Sequence, residues 1–177
     1  MGRLRLPAPS ERTAGAAAVE FALLFPLFIL IVFGTIDMGF AFNQKINLTQ
    51  AAREGSRYGS TLGIKASHKT LTNLDGTIDT WLLNVATVVI DAGGSDLATS
   101  RANRYICVAM GGTTTKRIVY SGSSTTGTTS NSSCFDDGRT DDRVQVEVRS
   151  DTILNFILFS GTINVGSTNT THYEVAI

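Results

Sequence analysis

The chain has little of what enzymes usually need. Its 177 residues include only two histidines, His68 and His172. Neither lies beside a cysteine, a second histidine or a carboxylate cluster, so a zinc site or a Ser-His-Asp triad has no sequence support. The GxSxG, P-loop and GxGxxG patterns are missing, as is the DxSxS of a von Willebrand-type metal site. No enzymatic activity, no cofactor and no metal are expected. Net charge is lacking too: 15 Lys plus Arg balance 15 Asp plus Glu, and no basic stripe is interleaved with aromatics. Nucleic acid is therefore not an expected partner. Proline is scarce, and Pro7, Pro9 and Pro26 are the three there are. Beyond Pro26 the chain is rich in Gly, Thr and Ser, which suits short strands and loops after an initial helix.

What the sequence does have is one long apolar run. From Ala14 to Phe33 only Glu20 is charged, and 20 residues at about 1.5 Å each span roughly 30 Å, the thickness of a bilayer's hydrocarbon core. A cleaved secretory signal is the competing reading of such a segment. It would need a small-residue site next, whereas "GTIDMGFAFNQK" follows Phe33. Arg3, Arg5 and Arg12 precede the run against a single Glu11, so the positive-inside rule keeps the N-terminus in the cytoplasm and sends the rest across. The tract "MGRLRLPAPSERTAG" shows no helical period and reads as a flexible, exposed leader.

A carboxylate near the centre of a membrane helix costs about 2.5–3.5 kcal/mol on insertion scales, so Glu20 calls for a partner or a reach to the interface. "GAAAVEF", followed by an apolar helix, resembles the processing signal of type IV pilins and pseudopilins: a glycine, four residues, then a glutamate. With "AAREGSRYGS" further on, it is similar to the TadE-like minor pilins of tight-adherence (Tad, or Flp) pili. Phe21, where major pilins of that system usually carry Tyr, favours the minor branch. The resemblance covers roughly Thr13 to Ser60 and implies several expectations. A prepilin peptidase would cut between Gly15 and Ala16, removing residues 1–15. The new α-amino group, with an ordinary pKa of roughly 7.7–8.0, would be largely cationic and would meet Glu20 of the adjoining subunit. The implied partners are the prepilin peptidase, sister minor pilins, the major pilin and the inner-membrane assembly platform. The implied location is a bacterial inner membrane, single-pass, with the C-terminal domain periplasmic or extracellular. The competing function is an uncleaved single-span anchor that presents a binding domain.

Beyond the membrane the helix is expected to continue as a stalk, giving a membrane and stalk helix over residues 16–62. Ile36, Phe40, Asn43 and Asn47 form one stripe of it, and Met38, Phe42 and Ile46 form another. Arg53, Glu54 and Arg57 make a charged face, read either as solvated surface or as subunit contacts. Gly59 and Gly63 are expected helix-ending positions.

Residues 63–177 are expected to form a small extracytoplasmic α+β domain, an antiparallel sheet packed on one or two helices. "DGTIDTWLLNVATVVIDAGG" repeats Ile78, Trp81, Leu82, Val85, Val88 and Val89 at helical spacing and stops at Gly-Gly. "RYICVAM", "KRIVYSG", "RVQVEVRS" and "THYEVAI" read as strands, and "TILNFILFSGTINV" as either a short helix or a strand. Cys107 and Cys134 lie in the part placed outside the cytoplasm, where disulfides persist, so they are expected to pair. The cluster Asp136 to Asp142 departs from the EF-hand spacing and reads as solvated turn acids rather than a calcium site. Sequons at Asn47, Asn131 and Asn169 are a consequence of the Thr- and Ser-rich composition.

Overall fold

The computed structural model describes residues 11–62, 78–112, 115–155 and 160–172. Helix α1 (Glu11–Thr61) is a single 51-residue helix that runs unbroken through Pro26. Helix α2 (Ile78–Gly93) follows, ended by Gly94 in the left-handed region at φ +50°, the expected Gly-Gly stop. A 3₁₀ turn (Gly94–Asp96) leads to the strands β1 (Tyr105–Gly111), β2 (Lys116–Ser121), β3 (Thr128–Ser130), β4 (Arg143–Asn155) and β5 (Ser160–His172). They form one antiparallel sheet in the order β3-β2-β1-β4-β5. The fold is α+β.

The core lies between the helices and one face of the sheet. Trp81, Leu82, Val85 and Val89 of α2 meet Leu48, Ala51 and Ala52 of α1 and Ile106, Val108, Val144, Val146 and Val148 of the sheet. The helical period read in α2 is thus the face it buries, while Leu83 points out, 46 % exposed. The start of β1 is braced by the buried Arg104, whose guanidinium donates to the carbonyls of Leu97, Gly122 and Ser124.

Several boundaries differ from the sequence reading. The helix starts at Glu11, so the stretch "ERTAG" is helical rather than part of a flexible leader; it has no proline after Pro9 and leads straight into an alanine run. Residues 1–10 lie outside the described residues. Gly59 does not end α1. A Cβ there would approach both Trp81 Cζ2 and Val144 Cγ1 to 3.0 Å, so this glycine permits close packing, and the helix runs on to Thr61. Gly63 and His68 lie outside the described residues. The stretch "TILNFILFSGTINV", read as helix or strand, supplies the end of β4 and the start of β5, with Asn155 registered opposite Ser160. Of the expected strand "THYEVAI", Thr171 and His172 belong to β5; residues 173–177 lie outside the described residues.

Candidate functional site

Helix α1 has two halves with opposite surroundings. From Ala41 onward one face is covered by the domain: Ala41, Gln44, Leu48, Ala51, Ala52, Ser56 and Ser60 are all buried. The small residues of "AAREGSRYGS" explain the closeness. A Cβ on Gly55 would lie 2.1 Å from Val89 Cγ2. No larger side chain fits between α1 and α2 there.

The most apolar part of the other half is left uncovered by the described residues of the domain. Val19, Phe21, Leu23, Leu24, Phe25, Leu27, Phe28, Ile31 and Phe33 are all exposed, and their positions run right round the helix. A helix apolar on every side is one that is buried by something else, a membrane or a bundle of other helices. By length and composition it can cross a membrane, with none of its most apolar window buried. Glu20 is exposed at this level, and Gly15 stands in open space inside the first turns of the helix.

The apolar surface continues past Phe33. Met38, Phe42 and Ile46, the stripe seen in the sequence, are 50 %, 64 % and 55 % exposed and turn away from the domain. Ile46 lies 13 residues past Phe33, about 20 Å along the axis. The other expected stripe is divided: Phe40, Asn43 and Asn47 line a groove of about 530 Å³ between α1, the 3₁₀ turn and β4, whereas Ile36 is exposed.

Arg53, Glu54 and Arg57 stand on the exposed side of the stalk and share a shallow groove with Gln50 and Ala92. Arg57 Nη2 donates to Glu54 Oε1 at 2.9 Å, and that hydrogen bond raises the Arg57 pKa above its ordinary value. Such exposed pairs contribute little to stability.

Cys107 of β1 and Cys134 are joined by a disulfide, with Cα atoms 5.7 Å apart. The bond fastens the segment between β3 and β4 over the second face of the sheet, where Gln145 donates to the carbonyl of Phe135 at 3.1 Å. The acids of this segment face cations of their own chain. Asp137 pairs with Arg143 at 2.9 Å, and Asp141 lies 2.6 Å from His172 Nδ1 and 3.8 Å from Arg143. Burial pushes the Asp137 pKa up, but the Gln145 amide, backbone N–H groups and the Arg143 charge together hold it below the ordinary value. Asp136 accepts from the Gly138 N–H, an ordinary Asx turn. No three His, Cys, Asp or Glu side chains among the described residues are grouped to hold a metal ion. Asn47 donates to Asp96 and Asn169 to Ser56, so both are structural contacts of α1.

Two features escaped the sequence reading. The glycines of the stalk are close-packing positions, signalled by Gly55 and Gly59 at a spacing of four on the buried face. Asp37, the first carboxylate after the membrane run, lines the groove with one oxygen buried and unpartnered.

The family model described as TadE-like protein matches residues 15–57. No curated protein and no solved structure matches the chain. The match begins at Gly15, takes in Glu20 and the Met38–Phe42–Ile46 stripe, and stops before the domain. From Gly15 to Arg57, the chain is similar to TadE-like proteins.

Proposed function

We propose that the protein is a minor pilin-like subunit that helps initiate or modify assembly of a Tad-type adhesion pilus. The observation that carries this reading is the Met38–Phe42–Ile46 stripe, exposed on the monomer at a height where lipid tails no longer reach. Apolar helix surface outside both the bilayer and the chain's own core marks a protein interface. The N-terminus lies in the cytoplasm, α1 crosses the inner membrane once, and the domain is periplasmic or displayed on the pilus. Prepilin peptidase cuts after Gly15, and the Ala16 amine meets Glu20 of a neighbouring subunit, which sets the axial register in a medium where an unpaired charge is heavily penalised. The role is structural rather than catalytic. Sister minor pilins, the major pilin and the assembly platform are the partners.

One observation favours the second reading, an uncleaved anchor that displays the domain: α1 is already helical from Glu11 through Gly15, so a peptidase must unwind its first turns. Gly15 eases this unwinding, since glycine is about 1 kcal/mol weaker in a helix than alanine. The N-terminal residue of the mature chain in cells with active prepilin peptidase decides between the two. Ala16 supports the pilin; a chain that retains Met1 contradicts it.

A further inference from the structure

Strand β4 runs down α1 toward the membrane. A Cβ on Gly59 would meet Val144 Cγ1 at 3.0 Å and one on Gly55 would meet Val146 Cγ2 at 3.7 Å, while Thr152 and Ile153 share a groove with Asp37 and Phe40. The rises of the two elements agree with this alignment: from Val146 to Ile153 the strand covers about 23 Å, and from Gly55 to Phe40 the helix covers about 22 Å. Ile153 therefore stands level with Phe40, about 10 Å past Phe33. Asn155, further down β4 and paired with Ser160, stands only about 4 Å past it. A bilayer of about 40–45 Å with a core of about 30 Å has a headgroup layer of roughly 5–8 Å on each side. The paired end of the hairpin falls inside that layer.

The chemistry of this end suits lipid. From Thr152 to Thr171 no residue is charged. Val144, Val146 and Val148 point into the core, so alternation puts Leu154 on the core-side face of β4 and Ile153 on the other. Ile163, registered opposite Thr152, shares the side of Leu154. Ile153 is 64 % exposed and Ile163 36 %, so apolar surface is open on both faces of the hairpin at once. In β5 every residue from Ser160 to Asn164 is exposed. The sequence that joins the strands, Phe156, Ile157, Leu158 and Phe159, lies outside the described residues and is wholly apolar in composition. A folded partner covers one face of such a hairpin, whereas a fluid apolar medium covers both.

We propose that the membrane-proximal end of the β4–β5 hairpin, where Leu154 pairs with Gly161 and Asn155 with Ser160, is a second membrane contact that rests in the headgroup layer of the bilayer crossed by α1. A single helix leaves the tilt of the domain open. A second contact on one side of α1 fixes that tilt, and with it the direction in which the Met38–Phe42–Ile46 stripe faces before assembly. The inference rests on the reading of Ala14–Phe33 as membrane-spanning.

The test is site-directed spin labelling of the full chain in phospholipid vesicles, with the Cys107–Cys134 disulfide intact and one added cysteine per variant. Ser160→Cys reports on the hairpin end, Thr168→Cys on the same strand further from the membrane, and Phe28→Cys on the span. Collisions with a water-soluble nickel chelate are expected to be at least about threefold rarer at position 160 than at position 168, and oxygen, which concentrates in the bilayer, should rank the two sites the other way. Equal nickel access at 160 and 168 overturns the proposal. Shielding of 160 from oxygen as well as nickel, or shielding that disappears when the protein is diluted in the vesicles, also overturns it and assigns the hairpin end to a second copy of the chain. The label at 28 separates the two levels of the argument. A shielded 28 beside an open 160 sinks the hairpin contact alone, whereas nickel access at 28 sinks the membrane reading on which it rests.

Discussion

Gly55 of α1 and Val89 of α2 approach so closely that a methyl group on Gly55 would sit 2.1 Å from Val89 Cγ2. Val89 is fully buried and cannot swing aside. Alanine would gain about 1 kcal/mol of helix propensity, but overpacking of a filled site costs about 1–3 kcal/mol, and this overlap belongs at the upper end. Gly55→Ala is expected to destabilise the domain by about 1–2 kcal/mol, read as a lowered thermal midpoint in detergent. Adding Val89→Ala should recover part of the loss. Independent, additive effects of the two substitutions would show that the helices do not meet here.

The disulfide is expected to matter most for the segment between β3 and β4. A cross-link with a sequence separation of 27 restricts the unfolded chain by about 3.5 kcal/mol in the loop-entropy picture. Replacing Cys107 and Cys134 together by alanine should lower the unfolding midpoint accordingly. Hydrogen exchange should accelerate first over residues 131–142, with α2 and β1 following only at global unfolding. Uniform acceleration across the domain would contradict this division.

Acid should act through Asp137. Its folded pKa lies below the ordinary 3.8, so the stability it contributes is present above that value and is lost as pH falls through the lower, folded value. Wild type is expected to be more stable than Asp137→Asn at neutral pH, and the two should converge once the pH drops well below 3.8. Parallel curves down to the lowest pH would show that the Asp137–Arg143 contact does not perturb the carboxyl.

Where the sequence is legible, the signal is local. The apolar face of α2 repeats within its own 16 residues, and the apolar run of α1 is continuous along the chain. Other features depend on partners far away in sequence. "VQVEV" alternates as a half-solvated strand would, yet Gln145 and Glu147 are buried as well as the valines, because the disulfide-tethered segment covers their face. β5 is built largely of Ser, Thr, Asn and Gly, residues typical of loops; pairing with β4 along its whole length, together with packing against α1, makes it a strand. Gly59 carries the residue type of a helix end, and only the positions of Trp81 and Val144 reveal it as a contact. In the candidate site the Met38–Phe42–Ile46 stripe could be read directly. Asp37 could not, since the groove it lines is completed by Asp96 of the 3₁₀ turn and Thr152 of β4, far away in sequence.

In the proposed pilin, Glu20 is the charge that sets the register between subunits. Glu20→Gln keeps the size of the side chain and removes its charge, so the subunit should still insert and fold but enter the pilus poorly, with incorporation reduced at least about tenfold in sheared fibres. Incorporation at the wild-type level would show that the carboxylate is only an interfacial charge in contact with headgroups.

The central claim, that the stripe beyond the membrane is covered by other subunits, is tested most directly by photo-crosslinking from position 42. A benzoyl-phenylalanine in place of Phe42, in cells that make pili, is expected to give discrete adducts with other pilin subunits, and the same probe at Leu83 on the far helix should give few. Adducts at position 42 that are absent, formed with lipid alone, or no more abundant than at position 83 would contradict the account.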